Sequence, residues 1–328
     1  MTAAIRVGIA GYGNLGRGAE AAIAQNPDLE LVGVFTRRDP AGISPALPAT
    51  RILGWSALDE HVDDVDVLIL CGGSKEDLPR QGPELAARFN TVDSFDTHAR
   101  IPEYFAAVDA SARAAGTTAV IASGWDPGLF SLNRLYGEAF LPEGATHTFW
   151  GRGVSQGHTD AVRRVPGVAA AVQYTQPPPA AIDAVRSGAK QELSTREKHT
   201  RECFVVLQDG ADEDAVRTAI VTMPHYFDQY DTTVTFVSAD ELARDHTGMP
   251  HGGFVLRRGI TGSGEVQLTE FGLTLGSNPE FTAGVLVAYA RAVHRMAAAG
   301  DHGAKTVFDV APGLLSPKSP EQLRDVLL

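Results

Sequence analysis

In the first part of the chain, short continuous apolar runs alternate with segments whose apolar residues recur at helical spacing. Short continuous apolar runs predict buried β-strands at residues 5–10, 29–35, 65–70, 91–92 and 118–122. Apolar residues at helical spacing predict helices between these strands, at residues 14–25, 77–89 and 101–115. This alternation is typical of an α/β fold, in which helices cover both faces of a doubly wound parallel sheet.

The pattern changes after about residue 124, where glycine, histidine and polar residues become frequent. Strand-like segments at residues 146–150, 204–207, 232–237 and 253–257, with polar and apolar residues alternating in TTVTFV, predict the strands of an open mixed sheet in an α+β domain. A long amphipathic helix over residues 281–299 should return to the first domain, because its apolar face needs a partner. We therefore expect one domain of residues 1–124 plus about 279–328 and a second of about 125–278.

Composition limits which partners the chain could bind and indicates its cellular compartment. The chain has 28 basic and 40 acidic residues, a formal charge of -12, and such a chain repels nucleic acid. No apolar stretch approaches the roughly 18 residues of a membrane span, and the first residues, MTAAIRVGIAGYG, lack the pattern of a signal peptide. Two cysteines, Cys71 and Cys203, are too few for a disulfide framework and indicate a reducing cytoplasm.

The motif GYGNLG, which lies between the first strand and the first helix, predicts a dinucleotide site of the Rossmann type. Gly11 permits the tight turn, Gly13 lets the backbone approach a pyrophosphate, and Gly16 lets helix and strand pack closely. Tyr12, Asn14 and Leu15 complete this loop. The helix N-terminus then offers N–H groups and a positive dipole end to the anion.

The end of the second strand predicts NADP as the cofactor. An NAD enzyme usually has an acidic residue there that holds the ribose 2′-hydroxyl. This chain instead has Thr36, Arg37 and Arg38, which can hold a 2′-phosphate through charge-assisted hydrogen bonds. Asp39 is the alternative, since it follows one residue later.

A small-residue turn follows the strand VDVLIL. Its residues Cys71, Gly72, Gly73 and Ser74 lie at the carboxyl end of a parallel strand, where open sheets bind ligands. We expect them to contact the cofactor, although a plain βα-turn has the same composition.

Longer blocks of the chain resemble the meso-diaminopimelate dehydrogenase family. They extend almost from end to end: VGIAGYGNLGR, FTRR, VDSFDTH, SGWDPGLFSLNR, HTFWGRGVSQGHTDAVRRVPGV, VQYT, HTRECFVV, DHTGMPHGG and SNPEFTA. The resemblance implies NADP-dependent oxidative deamination of the D-centre of meso-2,6-diaminopimelate to L-2-amino-6-oxopimelate and ammonia, a reversible step of lysine and diaminopimelate biosynthesis. It also implies a homodimer, sometimes a larger assembly, and we expect the second domain to bind the substrate and form the dimer.

The resemblance assigns the substrate site residue by residue. Asp96 and Asp126 match positions around the reacting amino group, where a carboxylate can hold the ammonium and accept a proton. Which aspartate accepts the proton stays open, and either could instead be a helix cap or a turn residue. The full set is Asp96, Trp125, Asp126, Trp150, Gln156, Gly157, Thr175, Arg201, His251 and Asn278.

Within that set, the resemblance implies that Thr175, Arg201, His251 and Asn278 hold the distal L-centre of the substrate, and that Trp125 and Trp150 wall the pocket. Core packing is the alternative for the tryptophans. The resemblance also implies a cofactor site larger than the glycine loop, the arginine cluster and the small-residue turn. The further residues are Ser94, Phe95, Asp96, Ser123, Gly124, Asp126, Pro127 and Gly128.

Three other functions compete with this interpretation. The segment GVSQG satisfies the G-x-S-x-G pattern of serine hydrolases at Ser155, although no oxyanion motif precedes it. A non-catalytic NADP sensor and a related reductase acting on another amino or oxo acid are the remaining alternatives. A metal site is not expected, because no cysteine pair and no H-E-x-x-H spacing is present.

Overall fold

The computed structural model describes residues 3–189 and 192–328. Contacts divide the chain into two compact units. The first unit comprises the residues up to Leu132 together with Pro279–Leu328, and the second comprises Asn133–Asn278. The first division thus lies a few residues beyond the boundary expected near residue 124.

Strands and helices alternate through the first part of the chain. In order they are β1 (Ile5–Ala10), α1 (Asn14–Ala24), β2 (Leu29–Thr36), β3 (Ile52–Gly54), β4 (Val67–Leu70), α2 (Leu78–Ala86), β5 (Thr91–Asp93), α3 (Ile101–Ala115), β6 (Thr118–Val120) and α4 (Leu129–Phe140). Short 3-10 helices occur at Pro40–Gly42, Trp55–His61, His98–Arg100 and, near the C-terminus, Pro312–Leu315.

The remaining elements follow in chain order. Those up to residue 275 are β7 (Gly144–Trp150), β8 (Gly153–Val154), α5 (Gln156–Arg163), β9 (Val168–Gln176), α6 (Pro179–Ser187), α7 (Thr195–Lys198), β10 (Thr200–Leu207), α8 (Glu213–Val221), β11 (Asp231–Phe236), α9 (Ala239–Asp245), β12 (His251–Ile260) and β13 (Val266–Leu275). The last are α10 (Asn278–Ala298), β14 (Gly303–Lys305) and α11 (Pro320–Leu327). None of the described helices is both long and apolar enough to cross a membrane.

The first unit contains a parallel sheet of seven strands in the order β14-β6-β5-β4-β1-β2-β3. Alternate residues of β4 enter different cores: Val67 and Ile69 pack with α1 and α10, whereas Leu68 and Leu70 pack with α2 and α3. Both faces of the sheet are therefore covered by helices, which confirms the predicted doubly wound α/β fold.

Helix α10 is fixed to the first unit by a buried arginine. Arg291 is 1% exposed, and its Nε donates to the Asp28 carboxylate at 2.6 Å. Its Nη1 also donates to the Leu315 carbonyl oxygen at 2.8 Å. The hydrogen bond from Arg291 lowers the pKa of Asp28, so the carboxylate stays ionised and compensates the buried charge.

The second unit contains two sheets rather than one. A four-stranded mixed sheet has the order β11-β10-β9-β8, and a three-stranded antiparallel sheet has the order β13-β12-β7. The single open sheet expected from the sequence omitted β8, β9 and β13. Strand β13 is exposed at most positions, including Val266 (52%) and Leu268 (42%), so no buried face marks it in the sequence.

Candidate functional site

The glycine loop after β1 forms the tight turn that a bound pyrophosphate requires. Gly11 has φ +102°, and a Cβ at Gly16 would lie 2.2 Å from the Gly11 carbonyl oxygen, so neither position accepts another residue without distortion. Gly13 has open space where a Cβ would be, and α1 begins at the next residue without a side-chain cap among the described residues. The first turn of α1 can therefore bind an anion.

A cavity of about 480 Å³ opens beside this loop. Its lining comprises Gly11, Tyr12, Gly13, Thr36, Arg37, Arg38, Trp55, Cys71, Gly72, Asp77 and Gln81. The glycine loop, the arginine cluster and the small-residue turn, which lie far apart in sequence, therefore meet at one cavity. These residues fit NADP, because the cavity joins an anion-binding helix terminus to two further cations.

Both arginines of the cluster are held in place. The Arg38 guanidinium donates to the Tyr12 carbonyl oxygen, and the Arg38 N–H donates to Thr36 Oγ1 at 3.2 Å. Arg37 forms an ion pair with Asp77 at 2.7 Å. Asp39 instead accepts the Ala41 N–H at 3.1 Å and caps a 3-10 helix, so it is occupied by a local turn.

The small-residue turn also depends on its glycines. A Cβ at Gly72 would lie 2.6 Å from Gln81 Oε1. The Ser74 hydroxyl accepts the Asp96 N–H at 3.1 Å, which joins the loops that follow β4 and β5. Burial raises the pKa of the Cys71 thiol to about 12, so this cysteine is not a reactive thiolate.

Asp96 and Asp126 follow β5 and β6, which are neighbours in the sheet. Asp96 is exposed and Asp126 is half-buried. Thr97, not Asp96, is at the N-cap position of the 3-10 helix that follows Asp96, and α4 begins at Leu129, three residues after Asp126. The Gly124–Gly128 turn is tight, since a Cβ at Gly128 would meet the Gly124 carbonyl oxygen.

Arg201 is a buried cation in the second unit. It is 6% exposed, its Nη1 donates to Thr175 Oγ1, and its guanidinium lies 3.9 Å from the Tyr230 ring centroid. No carboxylate of the described residues pairs with it, and its Nε has no hydrogen-bond partner there. Burial lowers the pKa of Arg201, an effect that Tyr230 opposes. Such a group favours an incoming anion, because an unpaired buried charge is costly.

Two histidines close to Arg201 were not identified from the sequence. Burial, with a smaller effect from the Arg201 charge, lowers the pKa of His199 to about 4 and that of His158 to about 4. His199 Nε2 accepts the Trp150 N–H at 2.9 Å, and the two rings stack with centroids 5.3 Å apart. Both imidazoles are therefore neutral at physiological pH, which leaves Arg201 as the cation among these three side chains.

Other predicted substrate residues lie in the same unit as Arg201. The His251 ring packs against Gly153, where a Cβ would lie 2.5 Å from it, and His251 Nδ1 accepts the Gly252 N–H at 2.9 Å. His251 Nδ1 also lies 3.3 Å from the Gly252 carbonyl oxygen. Residue Gly153 pairs with Thr175 in the sheet, and Thr175 pairs with Arg201. These positions therefore lie side by side.

The remaining predicted residues differ in exposure. Trp150 is 38% exposed, whereas Trp125 is 7% exposed and packs edge-on against Phe130 at 5.1 Å, so core packing describes Trp125 in part. Gln156 and Gly157 are exposed at the start of α5. The Asn278 N–H donates to the Met249 carbonyl oxygen at 2.9 Å at the start of α10.

The geometry at Ser155 does not match a hydrolase nucleophile. Ser155 Oγ lies 2.7 Å from His158 Nδ1, yet Ser155 has φ -90°, unlike the strained turn of a nucleophile elbow. A histidine with a pKa of about 4 is also a weak base at neutral pH. No group of three or more potential metal ligands occurs among residues 3–189 and 192–328.

Several known proteins are similar to this chain over almost its whole length. A family model, the diaminopimelic acid dehydrogenase C-terminal domain, matches residues 124–277. A curated meso-diaminopimelate D-dehydrogenase from Lysinibacillus sphaericus is 63% identical over 99% of this chain and 99% of that protein. The solved C. glutamicum DAP dehydrogenase in complex with DAP is 46% identical, with 99% of both chains covered and a TM-score of 0.89. An engineered D-amino acid dehydrogenase bound to NADP+ is 45% identical, with 99% of this chain and 100% of that chain covered and a TM-score of 0.84.

The arginine cluster yields a test of cofactor choice. Replacing Arg37 and Arg38 together by alanine should raise the KM for NADP about 10- to 100-fold, because charge-assisted hydrogen bonds to the 2′-phosphate are lost. The KM for NAD should change little. Steady-state kinetics with each cofactor measures both, and Arg324→Ala, at an exposed arginine of α11, is the control. An unchanged KM for NADP in the double variant would refute the assignment.

Proposed function

We propose the reaction of this chain from its family and from its site. The chain belongs to the meso-diaminopimelate D-dehydrogenase family. It oxidatively deaminates the D-centre of meso-2,6-diaminopimelate with NADP, in a reversible reaction. Substrate, NADP+ and water give L-2-amino-6-oxopimelate, an ammonium ion, NADPH and a proton.

The observation that carries this proposal is the buried Arg201. Its guanidinium lacks a carboxylate partner among the described side chains, and Thr175 fixes its orientation. A substrate with a second carboxylate, remote from the reacting carbon, supplies the missing charge in a forked hydrogen-bond geometry. His251 and Asn278 would donate to the same end of the substrate, and Trp150, Gln156 and Gly157 would contact it.

The aspartates act at the other end of the substrate. Asp96 and Asp126 would hold the reacting ammonium group, take a proton from it and then orient the water that replaces nitrogen. When bound, NADP accepts the hydride from the substrate carbon. The glycine loop, the Thr36–Arg38 cluster and the loops after β4, β5 and β6 would hold and orient it. Binding of the distal end orients the reacting end, so Arg201 contributes to turnover as well as to affinity.

The same proposal includes a homodimer in the cytoplasm. Strand β13 is the edge of its sheet and exposes Val266 and Leu268. A long, partly apolar edge strand is a template for pairing with another chain, and a second copy of the unit would cover it. Both cysteines are free thiols, which suits a reducing compartment.

Activity measurements test the reaction directly. Purified protein should reduce NADP rapidly with meso-diaminopimelate, and only weakly with the L,L-isomer or with D-alanine. Asp96→Asn and Asp126→Asn should each lower kcat about 100-fold or more, because one proton acceptor is lost. Reduced-nicotinamide absorbance gives the rates, and Asp183→Asn, at an exposed carboxylate of α6, is the control. Absence of turnover despite tight NADPH binding would favour the sensor or another reductase.

Arg201 yields a second test. Arg201→Leu should raise the KM for meso-diaminopimelate about 100-fold and also lower kcat, because a charged, orienting contact is removed. The preference for meso-diaminopimelate over D-norleucine, which lacks the distal charges, should fall. Arg186→Leu removes a more exposed arginine of the same unit and should change neither constant. Equal substrate preference in Arg201→Leu and the unaltered protein would contradict the assignment.

The dimer is tested at its proposed edge. Leu268→Glu should produce monomers at concentrations where the unaltered protein is dimeric, since it places a charge in an apolar contact. Light scattering after size-exclusion chromatography measures the mass. Val326→Glu alters an exposed apolar residue of α11 and should leave the dimer intact. A monomeric unaltered protein, or a dimer that survives the Leu268 change, would overturn this part of the proposal.

A further inference from the structure

Asp93, the last residue of β5, is a buried carboxylate without a role in the binding sites described above. It is 1% exposed. Its Oδ1 accepts the N–H groups of Phe95 at 2.9 Å and Ala122 at 3.1 Å, and its Oδ2 accepts the Tyr104 hydroxyl at 2.6 Å. Its carbonyl oxygen accepts both the N–H and the hydroxyl of Ser123, at 3.0 Å and 2.9 Å. A single residue thus fixes two loops.

Those loops carry the two candidate proton acceptors. Phe95 directly precedes Asp96, and Ala122 and Ser123 lie just before the Gly124–Gly128 turn that contains Asp126. Ala122 has φ +53°, a conformation that alanine rarely adopts, so it needs support from its surroundings. The hydrogen bond from Ala122 to Asp93 supplies that support.

Tyr104 and Gly82 form the packing environment in which the Asp93 carboxylate is hydrogen-bonded. Tyr104 of α3 stacks on Phe95 with ring centroids 4.2 Å apart. Its hydroxyl reaches Asp93 because residue 82 of α2 is glycine, where a Cβ would clash with that oxygen at 2.1 Å. Burial raises the pKa of Asp93 to about 6, against the opposing hydrogen bonds from Tyr104 and the two N–H groups. The same burial raises the pKa of Tyr104, the titratable side chain that contacts Asp93.

We propose that Asp93 is a positioning residue that holds Asp96 and Asp126 at the separation the reaction requires. The inference rests on the roles proposed for those two aspartates. Asp93 does not itself contact the substrate; it acts by joining the carboxyl ends of β5 and β6. The side chain fixes both loops from one point, so a change in it displaces both acceptors together.

Replacement of Asp93 tests this role. Asp93→Ala removes the acceptor for both N–H groups and should lower kcat about 10- to 100-fold, the cost of displacing reacting groups by about an ångström. The KM for meso-diaminopimelate should change much less, because Arg201 and Thr175 are untouched. Asp93→Asn keeps a side-chain oxygen for the two N–H groups and should restore most of kcat.

A matched control separates positioning from stability. Asp109 of α3 also anchors a strand, since its carboxylate accepts the Ala304 N–H of β14 at 2.8 Å and pairs with Arg113. Asp109→Ala should lower the melting temperature without lowering kcat. If Asp93→Ala behaves in the same way, the positioning role is wrong. If Asp96→Asn and Asp126→Asn keep full activity, the proposed function fails instead, whatever Asp93 does.

A second variant applies if Asp93→Ala does not fold. Tyr104→Phe keeps the carboxylate but removes its hydroxyl donor, and it should lower kcat several-fold with little change in KM. An unchanged kcat in Tyr104→Phe would overturn the proposal.

Discussion

The parallel direction of the seven strands is the constraint on which the first unit depends. Parallel strands end at one edge of the sheet, so the loops that follow them are neighbours even where they are distant in sequence. The loops after β1, β2 and β4 supply the glycine turn, the arginine cluster and the small-residue turn, and all three line one cavity. The loops after β5 and β6 supply the two aspartates. A shift of any strand along this edge would displace a different part of the site.

The buried Asp93 that fixes the loops after β5 and β6 lowers the stability of the folded protein. The pKa of Asp93 is about 6 in the folded chain, against 3.8 for an ordinary aspartate, so its contribution to stability is fully present below pH 3.8 and is lost as the pH rises through 6. Folding with Asp93 ionised, as it is at neutral pH, is therefore about 3 kcal/mol less favourable than folding with Asp93 protonated. An apolar residue would avoid this cost but would leave the N–H groups of Phe95 and Ala122 without an acceptor. Local destabilisation of this kind is typical of functional sites.

The sequence predicted those parts of the fold and site that have a local signal. Strands β1, β2 and β4 are mostly apolar and largely buried, and the glycine loop has a fixed spacing, so both were identified. Strand β8 has two residues and β13 is largely exposed, so neither has a hydrophobic pattern to detect. The sequence alone does not distinguish the two aspartates of VDSFDTH, whereas in the structure Asp93 is buried and bonded to Tyr104 and Asp96 is exposed. His158, His199 and Tyr230 have no motif that would link them to Arg201.

The role proposed for Arg201 would allow the second unit to reject substrates as well as to bind them. The Arg201 guanidinium is buried, and the two nearby histidines remain neutral because their pKa values lie near 4. A substrate end without a negative charge would leave Arg201 desolvated and uncompensated, whereas a carboxylate would complete its hydrogen bonds. With the role proposed for Arg201, discrimination against amino acids with one carboxylate would come mainly from the penalty of an unpaired buried cation. A pocket that also charged its histidines would attract anions more strongly, but its affinity would depend on pH across the neutral range.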